Sequence, residues 1–141
     1  MSIDYKKVCI VVSEFYSDLS DDFLANCTSY LQEKGIKTIK VVTVPGCFEI
    51  PFTINKIFKD KYFDAYIALG ILIKGETNHY EYISNAVSNA IMDLNLNLSV
   101  PVIFGVLTCE NREQVKKRVS KNDLNKGKEF ASTTIKMLDI K

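Results

Sequence analysis

At 141 residues, the chain is sized for one domain, residues 1–141, able to bury roughly two thirds of the surface it exposes when unfolded. Its 47% hydrophobic and 25% charged residues, with a net charge of +1, fit an ordinary globular protein and leave no basic stripe for nucleic acid. No apolar run approaches the roughly 18 residues of a membrane span, and Met1 to Lys7 are polar without a signal-peptide core. No membrane partner and a cytoplasmic location are therefore expected.

Val8 to Val12 is a short apolar run, as expected of a strand buried on both faces. Ser13-Glu14-Phe15-Tyr16-Ser17-Asp18 follows as a polar turn carrying two aromatics. Leu19, Phe23, Cys27 and Leu31 recur every four residues and predict a helix that stops near Lys34-Gly35. Thr38 to Val44 predicts a second strand, broken by Pro45-Gly46-Cys47-Phe48-Glu49-Ile50-Pro51. Ile50, Ile54 and Phe58 mark a short helix ending near Lys61, with Pro51 tolerated in its first turn.

Ala65 to Leu72 predicts the third strand, which runs into Ile73-Lys74-Gly75-Glu76-Thr77-Asn78-His79. Tyr82, Ile83, Ala86, Val87, Ala90, Ile91 and Leu94 then read as one continuous apolar face of a long helix. Pro101 to Thr108 is the fourth strand. Asn111 is placed to cap a charged helix running to about Val119, and after a polar link a last helix turns Phe130, Ala131, Ile135 and Leu138 inward. This alternation predicts an α/β fold: a single-domain three-layer α/β/α sandwich on a four-stranded parallel sheet with right-handed crossovers.

In such sheets ligands bind at the carboxyl ends of the strands. The free N–H groups of a first helical turn around Glu76 to Asn78 favour an anion. Gly75 lets backbone approach closely, and Lys74 adds positive charge beside it. Phe15, Phe48 and Phe104, with Thr108, are expected near the same end of the sheet. Aromatics there suit a flat, stacked ligand, so a flat heterocycle plus a phosphate is the expected occupant. The competing reading keeps Phe48 and Phe104 in the core and makes the glycine turn an ordinary connection with a surface histidine.

Several occupants of this architecture are excluded. Neither the P-loop pattern nor the dinucleotide fingerprint occurs. Glu14-Phe15-Tyr16 stands where a flavodoxin needs a hydroxyl- and glycine-rich phosphate loop, and Gly70-Ile71-Leu72 where a receiver needs an aspartate. Cys9, Cys27, Cys47 and Cys109 are widely spaced and the chain has one histidine, so no metal site is expected. Cys9 and Cys27 lie in apolar patterns and read as small core residues.

Taken together, Pro45-Gly46-Cys47-Phe48-Glu49-Ile50-Pro51, Ala68-Leu69-Gly70 through Gly75-Glu76-Thr77-Asn78-His79-Tyr80-Glu81-Tyr82, Pro101 through Thr108, and Asn125-Lys126-Gly127 resemble the lumazine synthase family. The resemblance covers essentially the whole chain, in the same order. It implies a flavodoxin-like sheet and the penultimate step of riboflavin biosynthesis. In that step 5-amino-6-(D-ribitylamino)uracil condenses with 3,4-dihydroxy-2-butanone 4-phosphate to 6,7-dimethyl-8-ribityllumazine, releasing phosphate and water without a cofactor.

Carried over by motif, Phe15 would stack on the pyrimidine, while Glu49, with Cys47 and Phe48 around it, would hold the ribityl chain. Leu72, Ile73 and Lys74 would border the substrates; Gly75, Glu76 and Thr77 would line the path to the phosphate; and His79 would shuttle protons. The family's site lies between subunits, so Phe104, Arg118 and Lys126 would come from the adjacent chain. Arg118 would grip the phosphate, because a guanidinium fork fits it better than an ammonium. The resemblance also implies a homopentamer, free or as a shell of twelve pentamers, and association with riboflavin synthase.

The chain departs from the family at Glu14 and Tyr16, where arginine and asparagine usually flank the aromatic. It departs again in the link Ser120 to Leu124, where the family lysine maps onto Asn122 and Lys121 stands one position early. A non-catalytic lumazine- or flavin-binding relative and an archaeal-type riboflavin synthase share the fold; the Gly-Glu-Thr-x-His stretch favours the synthase.

Overall fold

The computed structural model describes residues 3–140. Strands β1 (Lys7–Ser13), β2 (Thr38–Val44), β3 (Ala65–Ile73) and β4 (Val102–Cys109) form one parallel sheet in the order β2-β1-β3-β4. The helices are α1 (Ser17–Glu33), α2 (Ile50–Asp60), α3 (His79–Leu98), α4 (Arg112–Val119) and α5 (Lys126–Leu138). A single 3-10 turn, Cys47–Glu49, leads directly into α2. The chain steps from β1 outward to β2, then crosses back to place β3 on the other side of β1. That reversal opens a crevice at the carboxyl ends of β1 and β3.

The three predicted layers follow from strand alternation. Val8, Ile10 and Val12 of β1 point into one core with Phe23 and Leu31 of α1, Val115 of α4 and Ala131 of α5. Cys9 and Val11 point into the other, against Ile50 and Ile54 of α2 and Val87 and Ile91 of α3. Burial on both faces is why the strand reads as a continuous apolar run rather than an alternating one. Phe23 and Leu31 are fully buried, each worth about 1.5–3 kcal/mol of transfer free energy. Cys9 and Cys27 are core residues, as expected from their patterns.

Two details fix the helices that frame the crevice. The Asn95 side chain of α3 donates to the Val102 carbonyl at 2.8 Å and accepts from the Val102 N–H at 2.8 Å. It thereby supplies the start of edge strand β4 with backbone partners. At α4 the predicted cap forms: the Asn111 side chain accepts from the Gln114 N–H at 2.9 Å.

The apolar face of α3 is not the single surface its spacing suggests. Val87, Ile91 and Leu94 pack on the sheet, whereas Tyr82 and Ala86 are exposed. A face that takes two adjacent positions per turn is wider than one sheet can cover, so its flank is left outside. Tyr82 on that flank is 70% exposed, and Met92 and Leu96, further along the helix, are exposed as well.

Candidate functional site

Because β1, β2 and β3 are parallel, the loops that follow them leave the same edge of the sheet. Together they enclose a cleft of about 600 Å³. The first loop contributes Phe15 and Tyr16, and the second Gly46, Cys47, Phe48 and Glu49. The end of β3 and the loop beyond it add Leu72, Ile73, Gly75 and Thr77, and the start of α3 adds His79, Tyr80 and Ile83.

The first loop is pinned to the sheet by its backbone. The Glu14 N–H donates to the Val44 carbonyl at 2.9 Å, and the Phe15 N–H to the Ser13 hydroxyl at 3.4 Å. This turns the Phe15 ring outward, 70% exposed, with its centroid 4.9 Å from that of Tyr16 at an interplanar angle of 77°. Phe48 is 58% exposed. An exposed ring bordering a cleft is not packing the core, so the core alternative fails for Phe48.

The buried Cys47 thiol donates to the Ile71 carbonyl at 3.7 Å. Burial pushes it up to about 11, against the opposing pull of its hydrogen bond with Ser13. Such a thiol stays protonated at neutral pH and packs rather than attacks. Gly70 is required by this arrangement, since a Cβ there would lie 2.5 Å from the Cys47 sulfur. Gly75 differs: nothing in the chain lies within 4 Å of a Cβ built on it. What that glycine leaves open is space beside the cleft.

The helix after the glycine turn starts later than expected. Asn78 is the N-cap and His79 the first residue of α3, so Glu76 to Asn78 precede the helix instead of forming its first turn. Gly75, Thr77 and Asn78 favour turns and caps over helix interiors, which accounts for the delay. The Thr77 hydroxyl accepts from the His79 N–H at 3.3 Å, and the exposed His79 side chain borders the cleft.

Five expected site residues do not line this cleft. Lys74 and Glu76 belong to the same loop and are exposed beside it. Phe104 is 41% exposed, which removes its core reading too. It sits mid-strand in β4 opposite Ala68, not at the strand end where it was expected; Thr108, opposite Leu72, does lie there. Phe104 is only the third residue of an eight-residue strand, which holds it away from the carboxyl end. Arg118, late in α4, donates to the Gln114 carbonyl at 3.0 Å, and Lys126, the first residue of α5, is paired with Glu129 at 2.9 Å.

The residues that sequence reasoning missed as cleft walls are Tyr16, Gly46, Tyr80 and Ile83. Ile83 follows His79 by one helical turn, a spacing that would have flagged it once the helix start was known. Among the described residues no group of three or more His, Cys, Asp or Glu side chains could hold a metal ion. No described helix is long and apolar enough to cross a membrane.

The cleft thus joins exposed aromatics, a glycine turn and a histidine at the switch point of a flavodoxin-like sheet. A family profile described as 6,7-dimethyl-8-ribityllumazine synthase matches residues 5–141, nearly the whole chain. On that match the chain belongs to the 6,7-dimethyl-8-ribityllumazine synthase family, transferases of riboflavin biosynthesis that condense 5-amino-6-(D-ribitylamino)uracil with 3,4-dihydroxy-2-butanone 4-phosphate.

Proposed function

We propose that the cleft after β1, β2 and β3 is where the two substrates are condensed. One observation carries the reading: a single concavity unites exposed Phe15 and Phe48 with Glu49, Thr77 and His79. Phe15 stacks on the pyrimidine, and Glu49 with the backbone of Gly46 to Phe48 receives the ribityl hydroxyls. Gly75 and Thr77 open the way to the phosphate.

The chemistry asks little of the protein beyond alignment and proton transfer. The pyrimidine amine attacks the ketone, phosphate leaves, and the ring closes with loss of water. Holding two reactants in register can supply much of the acceleration, and His79 carries protons for imine formation and departure of phosphate. The phosphate cation is Arg118 of a neighbouring subunit. Its guanidinium is in no ion pair among the described residues, whereas Lys126 is engaged by Glu129.

On this reading the chain acts as a single unit and assembles as a homopentamer, free or within a shell of twelve. Tyr82, Met92 and Leu96, apolar and exposed on α3, are the surface that neighbours would cover. The proposed setting is the cytoplasm, with riboflavin synthase as an associated protein that consumes the product. The test is to mix both substrates with the protein and follow the lumazine chromophore, with sedimentation at micromolar concentration. Chromophore formation by an oligomer is expected; a fully active monomer would contradict the shared site.

A further inference from the structure

We propose that Tyr16 is a positioning residue that braces Phe15 for stacking on the pyrimidine, and that Arg112 and Asp18 hold Tyr16 in place. The inference rests on the reading of the cleft given above and adds a specificity element to it.

Two local rules are broken at positions whose side chains meet. Tyr16 is the N-cap of α1, and its side chain makes no capping bond. Its carbonyl alone serves the helix, accepting from the Leu19 and Ser20 N–H groups at 2.9 Å each. Ser, Thr, Asp and Asn are strongly preferred at such a position because their side chains satisfy a further N–H. Arg112 is the first residue of α4, where the helix macrodipole disfavours a cation. Unfavourable local choices that come together in space mark a function that outweighs them.

Their geometry indicates what that function is. The Arg112 guanidinium carbon lies 5.9 Å from the centre of the Tyr16 ring and the same guanidinium is paired with Asp18. The Tyr16 and Phe15 rings in turn pack edge to face, and Tyr16 lines the cleft beside Phe15. Phe15 is 70% exposed, and Tyr16 is its one aromatic neighbour among the described residues. An exposed phenylalanine without that wall would sample several rotamers and would have to be ordered when the heterocycle binds. Asp18, Arg112 and Tyr16 form a chain of contacts, from α1 and the start of α4, that orders it beforehand.

The test compares Tyr16→Ser, Tyr16→Phe and Arg112→Ala. Tyr16→Ser supplies a capping side chain, so its Tm should rise by about 2–4 °C. Its KM for the pyrimidine should nevertheless rise about three- to tenfold, several times more than its KM for the butanone phosphate, with the loss in kcat/KM carried by KM. Tyr16→Phe keeps the ring and should keep the wild-type KM, while Arg112→Ala should shift it in the same direction as Tyr16→Ser. Titration with 6,7-dimethyl-8-ribityllumazine, followed by fluorescence, gives a readout independent of turnover. A merely structural Tyr16 predicts a lower Tm and equal shifts for both substrates, and that result overturns the proposal. Wild-type pyrimidine KM in Tyr16→Ser also overturns it, while leaving the cleft reading intact. A wild-type protein that neither forms nor binds the lumazine removes both.

Discussion

The Cys47 thiol, 3.7 Å from the Ile71 carbonyl that it donates to, fills the space that a methyl group on Gly70 would need. The floor of the cleft and the end of β3 are thereby locked to each other, sulfur against glycine. Gly70→Ala should destabilise the protein by about 1–3 kcal/mol through overpacking. Adding Cys47→Ala removes the colliding sulfur, so the double variant should lose less than the two single losses combined. Denaturant unfolding of the four proteins checks this; strict additivity would mean that the two positions do not share the space.

Alkaline pH should weaken the fold. Burial raises the Cys27 thiol to about 12 and those of Cys9 and Cys47 to about 11, from an ordinary value of 9. The unfolded chain therefore gives up these protons near pH 9, while the folded chain still holds them. Stability contributed by the protonated thiols is intact below about pH 9 and is lost as pH climbs toward their folded values. The expected record is a Tm that falls from about pH 8.5 to about pH 10.5, with iodoacetamide labelling the native thiols slowly at about pH 8. A Tm that rises over this range would contradict the assignment.

How much of this was legible beforehand depends on how local the determining physics is. The Thr38–Val44 strand, the stop of α1 before Gly35, and the Asn111 cap are set by neighbouring residues, and the sequence reading recovers them. That Phe15, Glu49, Thr77 and His79 would border one cleft was legible because parallel strands send their loops to one edge. What was not legible depends on contacts distant in sequence. The wide apolar face of α3 divides only because the sheet covers one half of it. That Phe104 lies opposite Ala68 of β3 depends on the register in which the two strands pair. Tyr16 reads as a departure from a pattern until Arg112, 5.9 Å from its ring, gives it a partner.

The phosphate cation can be assigned by a substitution that keeps the charge. If Arg118 of a neighbouring subunit grips the phosphate through a bidentate pair, Arg118→Lys loses one charge-assisted hydrogen bond and its planar fit. A loss of about 1.5–3 kcal/mol corresponds to a KM for the butanone phosphate raised roughly ten- to hundredfold, with little change for the pyrimidine. Equal changes for both substrates would point to an assembly defect. No change at all would make Arg118 a solvated helix charge.

The central claim is that this cleft performs the condensation with His79, the one histidine of the chain, as its proton carrier. Imidazole alone among the side chains has an unperturbed pKa near neutrality, and general acid–base catalysis contributes about 10²–10⁴-fold. Alignment of two reactive substrates survives the loss of a proton carrier, so the low end of that range is expected. The decisive measurement is turnover of wild type and His79→Asn from about pH 5 to about pH 9, with oligomeric state and pyrimidine binding recorded for both. The account predicts an intact assembly that still binds the pyrimidine but turns over about a hundredfold more slowly, with an altered pH profile. A variant that matches the wild type in rate and profile would contradict it.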